Sequence, residues 1–292
     1  MAADQGVTAA VTDSPSATPR QGRLTLAFLL VPPMAWLVVA YLGSLAVLLV
    51  SAFWTTNSFT GAVVHTVTGD NVVRALTDEV FRTVTIRTVG VAVVVTVLCA
   101  VLAVPLGLYM AKVASPRTRL ALVVAVTTPL WASYLVKAYA WRVMLSPEGP
   151  MSWATGYTPG YGLVATIVTL TYLWLPYMII PVFAAFERVP NHLVDASSDL
   201  GASDFSTLRM VVAPLVFPGI AAGSIFTFSL SLGDYIAVTI VGGKTQMLGN
   251  IIYGQLVTAN NQPLAAALSI IPLAAVILYL LAMRRTGALE NV

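Results

Sequence analysis

After a polar opening stretch the chain falls into six long apolar runs, at about 24–53, 84–111, 119–144, 160–186, 211–241 and 264–283, separated by shorter polar segments. At about 1.5 Å of rise per residue each is long enough to cross a hydrocarbon core of roughly 30 Å. Inside lipid every backbone N–H and C=O must find its partner within the segment, so these runs predict helices. The expected fold is an all-α integral membrane protein with six transmembrane helices over 23–285. Residues 1–22 are rich in Ala, Thr, Ser, Asp and Pro without apolar period, and are expected to form a disordered cytoplasmic tail. They do not read as a signal peptide, because the first apolar run starts late and is too long for an h-region. Residues 286–292 are expected to be a short cytoplasmic C-terminus.

Composition narrows the class further. The chain is 58% hydrophobic and 9% charged, where soluble domains carry about 25% charged residues. That excludes a water-soluble enzyme. A net charge of +3 is too weak to argue for nucleic acid as a partner. The single cysteine, Cys99, sits inside an apolar run, which leaves no disulfide framework and no Cys/His metal cluster. Lys and Arg instead follow topology. Arg20, Arg23, Lys112, Arg117, Arg119, Arg188, Arg209, Arg284 and Arg285 fall on one side, against Arg74, Arg82, Arg87, Arg142 and Lys244 on the other. The positive-inside bias then places both termini in the cytoplasm. The first outer loop, about 54–83, carries Asp70, Asp78 and Glu79 and has room for a short helix. Prolines recur within the spans, at Pro105, Pro129, Pro176, Pro181, Pro218 and Pro272 among others, and each removes a backbone donor and bends its helix.

The loop at 187–210 is the most informative stretch. Pro190 and Asn191 break the incoming helix, and a short amphipathic one can restart from His192. Leu193, Ala196, Ser197 and Leu200 share one face, with Asp195 and Asp199 four apart on another. Such a helix, lying at the membrane surface, is shaped to plug into a cleft on a cytoplasmic partner. Gly201 then lets the chain turn sharply.

Asp195-Ala196-Ser197, three residues, Gly201, nine residues, then Val211-Val212-Ala213-Pro214 resembles the E-A-A, three residues, Gly, nine residues, I-x-L-P motif of permease subunits of bacterial ABC importers. The spacing matches throughout; Asp for Glu, Ser for Ala, and Val and Ala for Ile and Leu are departures. The resemblance implies a type I ABC importer permease fold, with Asp195, Ala196, Ser197, Ser198, Asp199, Leu200 and Gly201 forming the segment that docks on the ATPase. Further stretches, Ser231-Leu232-Gly233-Asp234-Tyr235, Met247-Leu248-Gly249-Asn250-Ile251-Ile252, Pro263–Ser269 and Leu135–Trp141, are similar to spermidine/putrescine importer permeases, which typically have Arg where Lys137 stands. Permeases for ferric iron, sulfate and molybdate share the loop but match the C-terminal third less well. The implied assembly is a hetero- or homodimeric pore in the bacterial inner membrane, two cytoplasmic ATPase subunits that hold ATP and Mg, and an extracytoplasmic substrate-binding protein. This chain itself is expected to bind no cofactor.

Asp234 is the only carboxylate within the six runs, and an intramembrane charge normally faces a polar cavity or a partner. Ser231, Thr227 and Ser224 precede it on the same helical face, giving a polar stripe that ends in an acid. A polyamine pathway calls for carboxylates with aromatic or small polar walls, to which Tyr235 and Trp141 are also candidates. The alternative for Asp234 is a structural one, capping or turning the chain after Gly233. Lys137 is expected to snorkel to the interface or pair with Asp234 or Glu148. Trp131, Tyr134, Tyr139, Trp153, Tyr157, Tyr172 and Trp174 read as an interfacial belt or, more sharply, as a cation-binding wall.

Other chemistries find little support. Gly243-Lys244-Thr245 lacks the upstream glycine of a phosphate loop, Val238 standing there instead, and His65 and His192 are too far apart to form a site together. An ion-coupled secondary transporter would show an inverted repeat, and an intramembrane enzyme two or more convergent ionisable groups at depth.

Overall fold

The computed structural model describes residues 20–57 and 60–284. The expected tail therefore lies outside the described residues up to position 19, while 20–22 already belong to the first helix; the expected C-terminal segment, 286–292, is outside them as well. Two compact units divide at Leu48. In the first, α1 (Arg20–Leu37) continues through a π turn at Val38–Leu42 into α2 (Gly43–Ser51), whose last three residues belong to the second unit, and Phe28–Ser51 is long and apolar enough to cross a membrane.

The second unit opens on a two-stranded antiparallel hairpin, β1 (Thr55–Thr56) and β2 (Val63–Val64), and on α3 (Asp70–Thr77), the short helix for which the outer loop had room. Asn71 Nδ2 donates to the Trp54 carbonyl at 2.7 Å, which fixes the hairpin against α3. Asp78 then caps α4 (Glu79–Leu108), accepting from the Val80 N–H at 2.9 Å, as an acidic N-cap should. A π turn at Tyr109–Val113 ends that helix, and Ser115 caps α5 (Pro116–Trp131) with Pro116 at its first position. There follow α6 (Tyr134–Met144), α7 (Pro150–Thr155), α8 (Leu163–Arg188), α9 (Asn191–Asp199) and α10 (Asp204–Thr207), the last leading through a π turn at Leu208–Val212 into α11 (Ala213–Gly233). The chain finishes with α12 (Ile236–Val241), α13 (Leu248–Tyr253), a π turn at Gly254–Thr258 and α14 (Gln262–Arg284).

Helices α4, α8 and α11 form the centre. Val95, Cys99 and Ala103 of α4, Leu170, Met178, Val182 and Phe186 of α8 and Val216 of α11 share one buried cluster. Glycines bring the axes close, because lipid-solvated helices associate through packing rather than water exclusion. A Cβ on Gly219 would overlap Ala185 and the Pro181 carbonyl, and one on Gly223 would sit 2.6 Å from the Met178 sulfur. Helix α14 lies against α11 through Tyr279, whose ring stacks on Phe228 at 4.3 Å and whose hydroxyl donates to Ser224 Oγ at 2.8 Å.

Two of the expected continuous spans are interrupted. The run at 119–144 is two helices, α5 and α6, bent by 100°. Pro129 removes a backbone donor near the end of α5, and Ala132 and Ser133 are extended. Lys137 Nζ donates to the Pro129 carbonyl at 3.0 Å, so it pairs with neither Asp234 nor Glu148 but completes a helix C-terminus, where a cation is favoured. The run at 211–241 stops at Gly233 and restarts as α12, which places Asp234 at a break instead of inside a helix.

Candidate functional site

The two breaks meet. Tyr134, first residue of α6, donates its hydroxyl to Asp234 Oδ2 at 2.5 Å, while Oδ1 accepts the Ala237 N–H at 3.0 Å at the start of α12. The Ala237 N–H also reaches the Tyr134 oxygen at 3.2 Å. Asp234 is thus buried, 7% exposed, with both carboxylate oxygens engaged, as a charge at depth requires. The carboxylate caps the start of α12, and it also lines a cleft of about 350 Å³ with Tyr134, Trp174, Ser229, Leu230, Gly233, Tyr235 and Ile236. Trp174 lies 6.0 Å from the Tyr134 ring, nearly parallel to it, and Tyr235 stacks on Tyr253 at 5.0 Å. Trp174 also sets the depth: it belongs to the middle of α8, so the acid stands within the length of that helix, and α12 covers the remainder up to Gly162, whose N–H donates to the Val241 carbonyl at 3.1 Å.

The polar stripe on α11 is buried but turned to other uses. Ser224 Oγ donates to the Ala221 carbonyl, and Thr227 Oγ1 bonds the Gly223 carbonyl at 3.2 Å, the ordinary back-bonding of hydroxyls in a helix. Ser231 Oγ is buried without a hydrogen-bond partner. Trp141 lies away from the cleft: its ring packs 5.4 Å from Tyr172, beside Ala138, Leu145 and Val241. The wall of the cleft is therefore Tyr134, Trp174 and Tyr235. From sequence, Tyr134 and Trp174 were two among seven aromatics that read as an interfacial belt or a cation-binding wall, with nothing to single them out.

At the other end of α8 and α11 the loop is a helix with a defined seat. Val194 and Ser197 of α9 turn inward, Ser197 Oγ lying 2.8 Å from Thr207 Oγ1. His192, Leu193, Asp195, Ala196, Ser198, Asp199 and Leu200 are exposed, Leu200 at 89%. The face expected to carry Leu193, Ala196, Ser197 and Leu200 together is split, with Ser197 taken by α10. Gly201 ends α9 at φ +79°, its N–H bonding the Ser198 carbonyl at 2.9 Å and the Ala202 N–H the Ser197 carbonyl at 3.1 Å, a Schellman termination that favours glycine. Two cations hold the seat. Lys112 Nζ donates to the Val189 carbonyl at 2.7 Å and to Asn191 Oδ1 at 3.0 Å. Arg119 donates to the Met110 and Ala111 carbonyls at 3.0 and 2.9 Å and pairs with Glu187 at 3.3 Å. In the sequence both read only as topology markers.

Comparison with known proteins places this architecture. Residues 103–286 match the family model described as binding-protein-dependent transport system inner membrane component. The chain is 41% identical over 286 residues to the inner membrane ABC transporter permease protein YdcU of Escherichia coli (strain K12), covering 91% of each chain. It is 29% identical over 235 residues to the spermidine/putrescine transport system permease protein PotB of the same organism, covering 76% of this chain and 83% of that one. In fold it is similar to a chain in the crystal structure of a bacterial ABC transporter involved in the import of the acidic polysaccharide alginate, with a TM-score of 0.72 at 18% identity over 91% of this chain and 97% of that one. With the spans, the central three-helix packing and the matched region in agreement, the chain belongs to the binding-protein-dependent transport system inner membrane component family and is the membrane permease subunit of an ABC importer.

Proposed function

We propose that this permease carries polyamines of the spermidine and putrescine class into the cytoplasm. The observation that carries the reading is the cleft at the two helix breaks, where one buried carboxylate, Asp234, is walled by Tyr134, Trp174 and Tyr235. An alkyl ammonium leaving water needs its hydration replaced, and a carboxylate with aromatic faces does so through charge and cation–π attraction. The same carboxylate would repel sulfate or molybdate. Similarity to a spermidine/putrescine permease supports the same choice. The acid stands at the ends of two interrupted helices, so a change in either bend alters its hydrogen bonds and its access.

In this reading a second permease subunit supplies the other half of the pathway, and a substrate-binding protein delivers cargo at the α12 end. Two ATPase subunits grip the exposed surface of α9, with Asp195, Ala196, Ser198, Asp199 and Leu200 as the contact, and hold the ATP and Mg. The end of the bundle bearing α9 then faces the cytoplasm, with both termini on that side and the bilayer around the apolar helices.

The test is uptake of radiolabelled spermidine into proteoliposomes holding the whole transporter, with unlabelled putrescine, sulfate and molybdate as competitors. Putrescine is expected to compete and the oxyanions are not, and Asp234→Asn is expected to lower uptake at least tenfold. ATP-driven uptake of an oxyanion in place of spermidine, or full spermidine uptake by Asp234→Asn, would overturn the assignment.

A further inference from the structure

If α9 is the ATPase contact, the coupling helix of the transporter, its movement has to reach the rest of the bundle. Its own attachment to the bundle is slight: α9 opens at Pro190, which provides no side-chain cap, and of its nine residues only Val194 and Ser197 turn inward. Next to that weak start stands Lys112. It lies in the π turn that ends α4, and its ammonium spans the gap to the junction of α8 and α9, taking the Val189 carbonyl in the linker and the side chain of Asn191, the first residue of α9. Val189 itself is 3% exposed and packs in the central cluster. Lys112 also forms part of the wall between two clefts of about 470 and 460 Å³, one reaching to Arg119 and Glu187, the other to Asp195, Ser198 and Asp204. Val189 and Asn191 line both clefts as well, and the ammonium joins them to the end of α4 between the two spaces.

What lies beyond the bridge matters. Arg119 holds the carbonyls of Met110 and Ala111, in the same π turn, and so ties α5 to the end of α4. Helix α5 leads to the 100° bend and Tyr134, and α4 is packed along α8, which carries Trp174 at its middle, and α11, which carries Leu230 near its far end. A displacement of the α8–α9 linker delivered at Lys112 therefore enters the helices that shape the cleft.

We propose that Lys112 is a positioning residue for energy coupling: by bridging Val189 and Asn191 to the end of α4, it makes the coupling helix and the pathway helices move as one. The proposal rests on the reading of α9 as the ATPase contact. A lysine suits the place, because one ammonium has three donors and can serve a carbonyl and an amide oxygen at once.

The test needs no knowledge of the cargo. In the full transporter a cysteine replaces Leu230, which lines the cleft, and its rate of reaction with a small methanethiosulfonate reagent is measured with and without ATP and vanadate; the native Cys99 is fully buried. In the parent the nucleotide is expected to change the rate. Lys112→Met is expected to cut that change at least tenfold while the ATPase still co-purifies and hydrolyses ATP, and Lys112→Arg is expected to recover most of it. A nucleotide response as large in Lys112→Met as in the parent overturns the proposal. If Lys112→Met fails to reach the membrane, Asn191→Ala, which removes one acceptor and keeps the lysine, decides: a reduced response supports the bridge, an unchanged one overturns it. If no ATPase co-purifies with the parent chain, the reading of α9 fails first, and the proposal with it.

Discussion

The two ends of the α8–α11 pair solve the same problem, a charge beside lipid, in opposite ways. At Asp234 the charge is 7% exposed and each of its oxygens has a fixed donor. At the α9 end the charges are half-exposed and spread over several acceptors, with Arg119 and Glu187 at 39% and 43% exposure. Burial makes a polar contact valuable because its loss leaves an unsolvated group, whereas water repairs the same loss at the surface. The deep end thus holds its carboxylate in one fixed geometry, while water can take over the contacts at the α9 end.

Substitutions can separate these regimes. The largest effect is expected from Asp234→Ala, which leaves the buried Tyr134 hydroxyl without its acceptor, at about 1–3 kcal/mol, and the Ala237 N–H with only the longer contact to the Tyr134 oxygen. Asp234→Asn keeps an acceptor and is expected to preserve most of the thermal stability in detergent while losing transport. Equal melting temperatures for the two would mean that the cap contributes nothing and that the site is less buried than the structure has it.

Next comes the seam that joins the ends. Gly219→Val forces a side chain against Ala185 and the Pro181 carbonyl, where neither backbone can yield easily. Overpacking of this kind costs about 1–3 kcal/mol. If α8 and α11 act as one body, this change lowers both the melting temperature and the nucleotide response of the cleft. A loss of stability alone would uncouple the two ends from each other.

Much of the α9 end was legible in the sequence because its determinants are local. Proline and asparagine at the break, the 195–201 register and the glycine at position 201 all act within a few turns of chain, and α9 with its left-handed terminus follows from them. The deep site was legible only in part. Asp234 stood out as a carboxylate in an apolar run, but Tyr134 reaches it only because α5 and α6 bend by 100°, a consequence of Pro129 and the break at Ala132-Ser133 that a hydropathy average smooths over, and Trp174 joins them from α8. Trp141, on the same helix as Tyr134, is turned to a different cluster. Lys112 lay beyond reach for another reason: its acceptor at Val189 is 77 residues away, and nothing in a local window announces it.

Gly201→Ala probes the α9 end where it is most local. At φ +79° an added Cβ meets nothing within 4 Å, so the cost is conformational, about 1–2 kcal/mol for a left-handed residue. The expected result is faster hydrogen exchange confined to α9 and α10, with the cleft unaltered.

The smallest effect is expected from Glu187→Gln, and it tests the comparison most directly. The pair with Arg119 is the one ion pair among the described residues, at 3.3 Å, yet both side chains are well exposed. Arg119 keeps the Met110 and Ala111 carbonyls when the carboxylate is neutralised, and glutamine still offers an oxygen. An exposed pair contributes about 0–1 kcal/mol, less as salt rises. The melting temperature is therefore expected to shift by a degree or two at low salt and not at all at high salt. A large, salt-independent loss would place Glu187 in a buried network, and the α9 end would then hold its charges by the same means as the deep one.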